Sequence, residues 1–210
     1  MRLVLWRHGR TSWNDEGRFQ GHTDIPLDET GLRQAAVAAP MIRALRPSVI
    51  VSSDLRRCKQ TAAALDLPFR TDPRLREIDL GTWSGMTGAQ ARARFPLEDA
   101  AWRRGEDLPR GGGETYREVG ARASEVVDEL IAGGELGDGQ LALLVLHGGS
   151  ARALLGSLMG LPAASWYRLG PLGNCRWSLV RSFEGGFRLL EHNVAAEPAA
   201  TLAIAGPTVP

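Results

Sequence analysis

Cysteine is nearly missing from this sequence. Cys58 and Cys175 stand far apart, with no metal-ligand spacing around either. That scarcity excludes a disulfide framework and a cysteine-rich zinc cluster, and it fits a reducing compartment. Long hydrophobic runs are missing too. No stretch approaches the roughly 20 apolar residues of a membrane helix, and the N-terminal apolar run stops at Arg7, too early for a signal peptide. The expected location is the cytoplasm. Net charge is only +1 at pH 7, so no global field draws the chain to nucleic acid or to an acidic membrane surface. A Gly-Lys-Ser/Thr nucleotide loop is absent. Lysine itself occurs once, at Lys59. Codon bias accounts for that, but any anion site here must then be built from guanidinium forks, which grip phosphate with paired hydrogen bonds.

What is present has the make-up of an ordinary globular domain. Apolar residues form 43% and charged residues 23% of the chain, and its length suits one domain with a core that needs no staples. Residues 2 to 6, 48 to 53, 69 to 71 and 141 to 146 read as strands, the last being the most apolar. Helices are expected over 27–45 with Thr30 as N-cap, over 54–65 capped by Ser53 or Asp54, and over 87–104 with a break at Pro96. A glycine loop at 111–113, read as flexible, leads into a helix with a Thr115/Glu118 capping box and a Gly133-Gly134 stop. A further helix follows residues 147–150, and the runs 175–181 and 186–192 read as a hairpin. The expected fold is an α/β, three-layer α/β/α sandwich, its central sheet mostly parallel with an antiparallel edge. One domain covers 1–194, with a lid at about 86–113, and 195–210 is an Ala/Pro-rich tail.

Ligands of such sheets sit at the carboxyl ends of the strands. The first strand ends at Arg7-His8-Gly9. The second ends at Ser52-Ser53 and places Arg56 and Arg57 in the first turn of its helix. The strand 141–146 ends at His147-Gly148-Gly149-Ser150. Two histidines, at least two arginines and a glycine-rich helix N-terminus thus meet at one edge, where backbone N–H groups and the helix dipole already favour an anion. Singly, each has a plainer explanation: a satisfied strand-end histidine, a turn glycine, a solvated helix arginine. Their convergence points to a phosphoryl group. A divalent metal would be repelled by Arg7 and Arg57, and neither His-x-His nor His-Glu-x-x-His spacing occurs.

Five blocks in order, "LWRHGRTSWN", "SSDLRRCKQTA", "LREIDLGTWSG", "GGGET" and "VLHGG", resemble the histidine phosphatase superfamily with its phosphoglycerate-mutase-like fold, over residues 1 to about 192. The resemblance implies a phosphohistidine mechanism with no cofactor and no metal. His8 is then the nucleophile, a neutral imidazole whose other nitrogen donates to a backbone carbonyl. Arg7, Arg57, His147 and the Gly148 amide hold the phosphoryl group, and Thr11 and Asn14 reach it from the loop after the first strand. Glu77 is implied as general acid and then as general base for water; surface pairing with Arg74 or Arg76 is the plainer alternative. Gln20 and Gly21 line the site, His22 is left open, and His192 is structural. In the lid, Trp102, Arg103 and Arg104 are candidates for reading the rest of the substrate, with Trp102 equally suited to packing the lid's own core. Arg10 departs from the family's usual Glu or Gln; either it favours a second anionic group on the substrate or it points to solvent.

Mutases of the superfamily carry Glu-Arg-x-Tyr-Gly in the acid block and a longer lid, whereas this chain has Glu77-Ile78-Asp79-Leu80-Gly81. The expected activity is hydrolysis of a small-molecule phosphomonoester. "SSDLRR", "LGTWSGMTGAQ" and "LGPLGN" resemble the phosphatases of glucosyl-3-phosphoglycerate, so a phosphoglycerate or sugar phosphoglycerate is the expected class. Mutase activity and a non-catalytic phosphate-binding role are the alternatives. Neither nucleic acid nor membrane is expected as a partner, and the edge strands and hairpin would allow a homodimer.

Overall fold

The computed structural model describes residues 1–196. Six strands form one sheet in the order β3-β2-β4-β1-β5-β6. Strands β1 (Arg2–Arg7), β2 (Val49–Ser52), β3 (Arg70–Thr71) and β4 (Leu141–Leu146) are parallel, and β5 (Trp177–Phe183) and β6 (Gly186–Val194) add the antiparallel edge. Helices α1 (Ser12–Asp15), α2 (Glu29–Ala44), α3 (Arg56–Ala63), α4 (Gly88–Arg94), α5 (Pro96–Arg103), α6 (Tyr116–Ala132) and α7 (Gly148–Leu158) complete the expected sandwich.

Strand alternation sorts the core into two faces. Leu3 and Leu5 pack with Val126 and Leu130 of α6 and Leu154 of α7. Val4 and Trp6 pack with Ala38 and Ile42 of α2 and Ala62 of α3. Central β4 is buried along its whole length, which is why it reads as a continuous apolar run. Each leucine or valine there contributes about 1.5–3 kcal/mol by leaving water. Among the described residues, no helix is long and apolar enough to cross a membrane.

Several local expectations need correction. Asp28, not Thr30, caps α2, accepting from Gly31 N at 2.7 Å; the Thr30 hydroxyl is taken by Arg10 and Arg33. Neither Ser53 nor Asp54 caps α3. Asp54 turns to Arg76, and Asp24 accepts the Arg56 amide at 2.7 Å from across the chain. The break at Pro96 falls where α4 meets α5, and the Thr115/Glu118 box is formed. The glycine segment 111–113 is a close backbone contact, not a flexible linker. A Cβ on Gly113 would overlap Asp79 O, and one on Gly81 would overlap Gly111 O. Glycine lets the loop after Glu77 lie backbone to backbone against the approach to α6. A small third core of Ile78, Leu80, Trp83, Ala91, Val119, Ala153 and Trp166 supports that contact. Of the expected tail, residues 197–210 lie outside the described residues.

Candidate active site

Sheet register assembles the site. Arg7 stands opposite Leu146, and Ser52 opposite Val145, so the next residues along, His8, His147 and Ser53, come together. His8 and His147 meet edge to face with ring centroids 5.1 Å apart. Gly9 then turns the chain beneath α2. A Cβ there would sit 2.5 Å from Gly31 O, and the Gly9 amide donates to Thr61 Oγ1 at 3.1 Å. No side chain fits after this histidine.

His8 is 2% exposed. Its Nδ1 donates to Gly9 O at 2.7 Å, as expected, which leaves the Nε2 lone pair free. Burial first, then the charges of Arg57 and Arg7, hold its pKa well below the ordinary histidine value. The imidazole is therefore neutral, with Nε2 unengaged. Arg57 is fully buried and spread over three acceptors: Nε donates to His147 Nδ1 (3.0 Å), Nη1 to Thr23 O (2.7 Å) and Nη2 to Gly21 O (2.8 Å). Arg7 donates through Nη1 to Leu172 O, and its Nε has no acceptor. Neither guanidinium pairs with a carboxylate among the described residues. Burial pulls both pKa values down from the usual arginine value, so an anion brought between them is strongly favoured.

His147 departs from its expected role. Nδ1 accepts from Arg57, and Nε2 lies 2.9 Å from Ser53 Oγ, so both nitrogens are engaged in the fully buried ring. It aims Arg57 and does not itself line the cleft. Burial and the Arg57 charge keep it neutral.

The Glu77 carboxylate accepts three backbone amides, from Ile78 (2.9 Å), Ser150 (2.9 Å) and Gly149 (3.0 Å). It therefore sits on the N-terminus of α7. A Cβ on Gly149 would overlap Glu77 Oε1, which explains the second glycine of "HGG". Surface pairing is excluded: Arg74 is taken by Asp72 and Glu129, and Arg76 by Asp54. The Glu77 carbonyl is held by Arg122 Nη2 at 3.0 Å and His22 Nε2 at 2.8 Å. His22 is thus a positioning residue. Arg122 was not foreseen, because one arginine on an amphipathic helix looks like any solvated cation.

The remaining candidates divide. Asn14 Oδ1 accepts from the Thr11 amide and from Asn174 Nδ2, leaving its own Nδ2 without a partner on the cleft wall. Gln20, Gly21, Gly148 and Trp102 also line the cleft, which has a volume of about 240 Å³. Gly21 contributes its carbonyl to Arg57, and Trp102, besides lining the cleft, packs on Phe19 and Trp83 in the small core beneath it. Thr11 does not reach the cleft: it is fully buried as the N-cap of α1 and fixes Asn14. Arg10 is tied to Asp15 at 2.6 Å and Asp28 at 2.8 Å. Arg103 pairs with Asp99 at 2.8 Å and Arg104 with Glu106 at 2.7 Å, and neither lines the cleft. Carboxylates within reach outbid the site for all three arginines. Arg110, Arg152 and Asn174 were not foreseen; the first two line the cleft, and Asn174 donates to His8 O at 3.1 Å. His192 bonds Ser178 and Gly170, a structural role as expected. No group of three His, Cys, Asp or Glu among the described residues is placed to hold a metal.

The model of the histidine phosphatase superfamily (branch 1) matches residues 3–195. The chain belongs to that superfamily. A glucosyl-3-phosphoglycerate phosphatase of Mycobacterium tuberculosis is 42% identical to this histidine phosphatase over 186 residues, covering 84% of this chain and 83% of the relative. A Yersinia pestis protein named "Probable phosphoglycerate mutase GpmB" is 38% identical over 191 residues, covering 86% and 84%. The solved structure of mycobacterial glucosyl-3-phosphoglycerate phosphatase with VO3 superposes with a TM-score of 0.86 at 39% identity, covering 92% of this chain and 99% of that one. The fold and the phosphatase kinship expected from the five sequence blocks both stand.

Proposed function

We propose that this histidine phosphatase hydrolyses a small phosphomonoester through a phosphohistidine on His8, and that its substrate is a phosphoglycerate or sugar phosphoglycerate. One observation carries the mechanism: a buried, neutral His8 whose Nε2 is free, flanked by the buried Arg57 and the partly buried Arg7, neither with a carboxylate partner among the described residues. The Nε2 lone pair forms the N–P bond as the bond from phosphorus to the alcohol oxygen breaks, and Glu77 protonates that oxygen. Water then attacks phosphorus while Glu77 takes its proton, the N–P bond breaks, and inorganic phosphate leaves. Arg7, Arg57, Asn14 Nδ2 and the Gly148 amide meet the charge spread over the equatorial oxygens, the largest catalytic device for this chemistry. His147, Thr11, Asn174 and His22 hold those groups in place.

The substrate class is supported by the Mycobacterium tuberculosis relative and by a cleft of about 240 Å³, below the ~300–1,000 Å³ of drug-sized ligand sites. Residues 86–113 act as the lid of a single domain spanning 1–194, with Trp102 over the cleft. A cytoplasmic setting is supported by two free, buried cysteines, whose thiols burial pushes up, Cys175 to about 12. The unpaired side of β6 is the edge on which a homodimer would form.

The decisive experiment is turnover of p-nitrophenyl phosphate with EDTA present, together with rapid-quench trapping of the phosphorylated protein. Wild type turns over and yields an acid-labile N–P adduct; His8→Ala does neither. Turnover surviving in His8→Ala overturns the reading. Phosphoglycerate isomerisation stimulated by 2,3-bisphosphoglycerate, without hydrolysis, would make the protein a mutase.

A further inference from the structure

We infer that Arg110 and Arg152 form a second anion subsite, which takes a substrate carboxylate while the phosphate lies at His8; this rests on the hydrolase reading above. Five arginines line the cleft, Arg7, Arg18, Arg57, Arg110 and Arg152, against one carboxylate, Glu77. Glu77 is already held by three amides, and Arg18 is paired with Glu16 at 2.6 Å. A phosphoryl dianion balances Arg7 and Arg57. Two guanidinium charges remain.

Arg110 is only 3% exposed, yet no side chain or carbonyl of the described residues accepts from its guanidinium. Ring faces hold it instead, with its Cζ 4.9 Å from the Trp102 centroid and 5.3 Å from that of Tyr116. Arg152, one turn into α7 beyond Gly148, has its buried Nε without an acceptor. Buried donors are almost always hydrogen-bonded, and an unpaired buried charge is costly. A purely structural arginine at Arg110 would have found a carbonyl or a carboxylate. Two aromatic rings flank its Cζ while the residue lines the cleft with its guanidinium N–H groups unclaimed, and a guanidinium so placed suits a planar carboxylate taken by two parallel hydrogen bonds. The subsite is also tied to the chemistry: Gly111, next to Arg110, lies against Leu80 and Trp83 of the loop that carries Glu77. The ligand class is a phosphorylated hydroxy acid.

A matched pair of substrates tests this. Glycerol 3-phosphate has the skeleton of 3-phosphoglycerate with a hydroxymethyl group in place of the carboxylate. Wild type should favour 3-phosphoglycerate by about 10- to 100-fold in kcat/KM, the size of one or two hydrogen bonds to a charged group. Arg110→Gln and Arg152→Gln should each erase much of that preference, raising KM for 3-phosphoglycerate far more than for glycerol 3-phosphate, with Arg110→Lys intermediate. In a His8→Ala background, calorimetry should show Arg110→Gln weakening 3-phosphoglycerate binding without changing that of inorganic phosphate. A preference unchanged in both variants, or phosphate and 3-phosphoglycerate weakened equally, overturns the subsite. Absence of p-nitrophenyl phosphate turnover in wild type would sink the hydrolase reading instead, and the calorimetric comparison would still decide the subsite.

Discussion

The floor of the cleft and the wall under its lid are held by different forces. On the floor, charged groups are gripped by the main chain: His8 Nδ1 on Gly9 O, Arg57 on Gly21 O and Thr23 O, Glu77 on three amides. Under the lid, Arg110 lies between the faces of Trp102 and Tyr116 with no hydrogen bond. Main-chain bonds fix a direction to within a few degrees, which phosphoryl transfer requires. Ring faces fix a plane and let the cation slide within it. On the proposed function, the floor carries the chemistry and the wall at Arg110 sets selectivity.

The largest effect should come from breaking the floor at Arg57. Arg57→Gln should lower kcat/KM for p-nitrophenyl phosphate about 10²- to 10³-fold, as for other lost transition-state donors. Arg57→Lys should recover little, because one ammonium cannot serve His147, Thr23 and Gly21 while also meeting phosphate. A lysine variant near wild-type rate would mean that charge alone matters there. Next in size is Gly149→Ala. Its new Cβ would push Glu77 off the amides of α7, and a displacement of about 1 Å costs about 100-fold in kcat. The KM should barely move. As the lid counterpart, Gly88→Ala meets nothing within 4 Å and should leave kcat unaltered in the same steady-state assay.

That contrast also explains what could be read in the sequence. His8, Arg57 and Gly148 were legible because strand ends, helix starts and parallel register deliver them, and those follow from apolar periodicity and glycine placement; Glu77 lies in an irregular loop, and only the resemblance of "LREIDLGTWSG" to the superfamily singled it out. Thr11, Arg10 and Arg103 could not be placed from the sequence for a different reason: each sits near the site residues along the chain, but a neighbour such as Asn14, Asp28 or Asp99 claims its side chain. Competition between partners has no sequence period. Arg110 and Arg152 escaped notice because their arrival at one cleft depends on how two remote segments pack. The glycines of 111–113 carried the missing information, since three in a row signal close backbone approach as readily as flexibility.

A smaller effect separates floor from lid by pH. His8 and His147 are kept neutral, mainly by burial, and residues 86–113 contain no histidine. Below about pH 6.5 the unfolded chain takes up protons at both imidazoles, while the folded chain does so only at lower pH. The unfolded state then binds more protons, so stability present above that pH is lost as pH falls. Thermal denaturation should give a Tm that drops between pH 7 and pH 5, with a shallower slope in His8→Asn. An identical slope in that variant would assign the loss to other groups.

Only a slight effect is expected at Arg103, and it sharpens the distinction most. The sequence places it beside Trp102 as a substrate reader, but its Nε donates to Asp99 Oδ2 at 2.8 Å, its Cζ lies 5.7 Å from the Trp102 ring centroid, and it does not line the cleft. Arg92 stands 3.4 Å from the same carboxylate oxygen, so Arg103→Gln leaves Asp99 with a cation. Stability should fall by about 1 kcal/mol or less, as for a partly exposed ion pair. The kcat/KM values for 3-phosphoglycerate and glycerol 3-phosphate should change together and by less than about twofold. A selective loss on 3-phosphoglycerate in Arg103→Gln, matching that in Arg110→Gln, would show that the two arginines act through one shared aromatic ring, and selectivity would then belong to the whole lid wall instead of one pair of guanidinium groups.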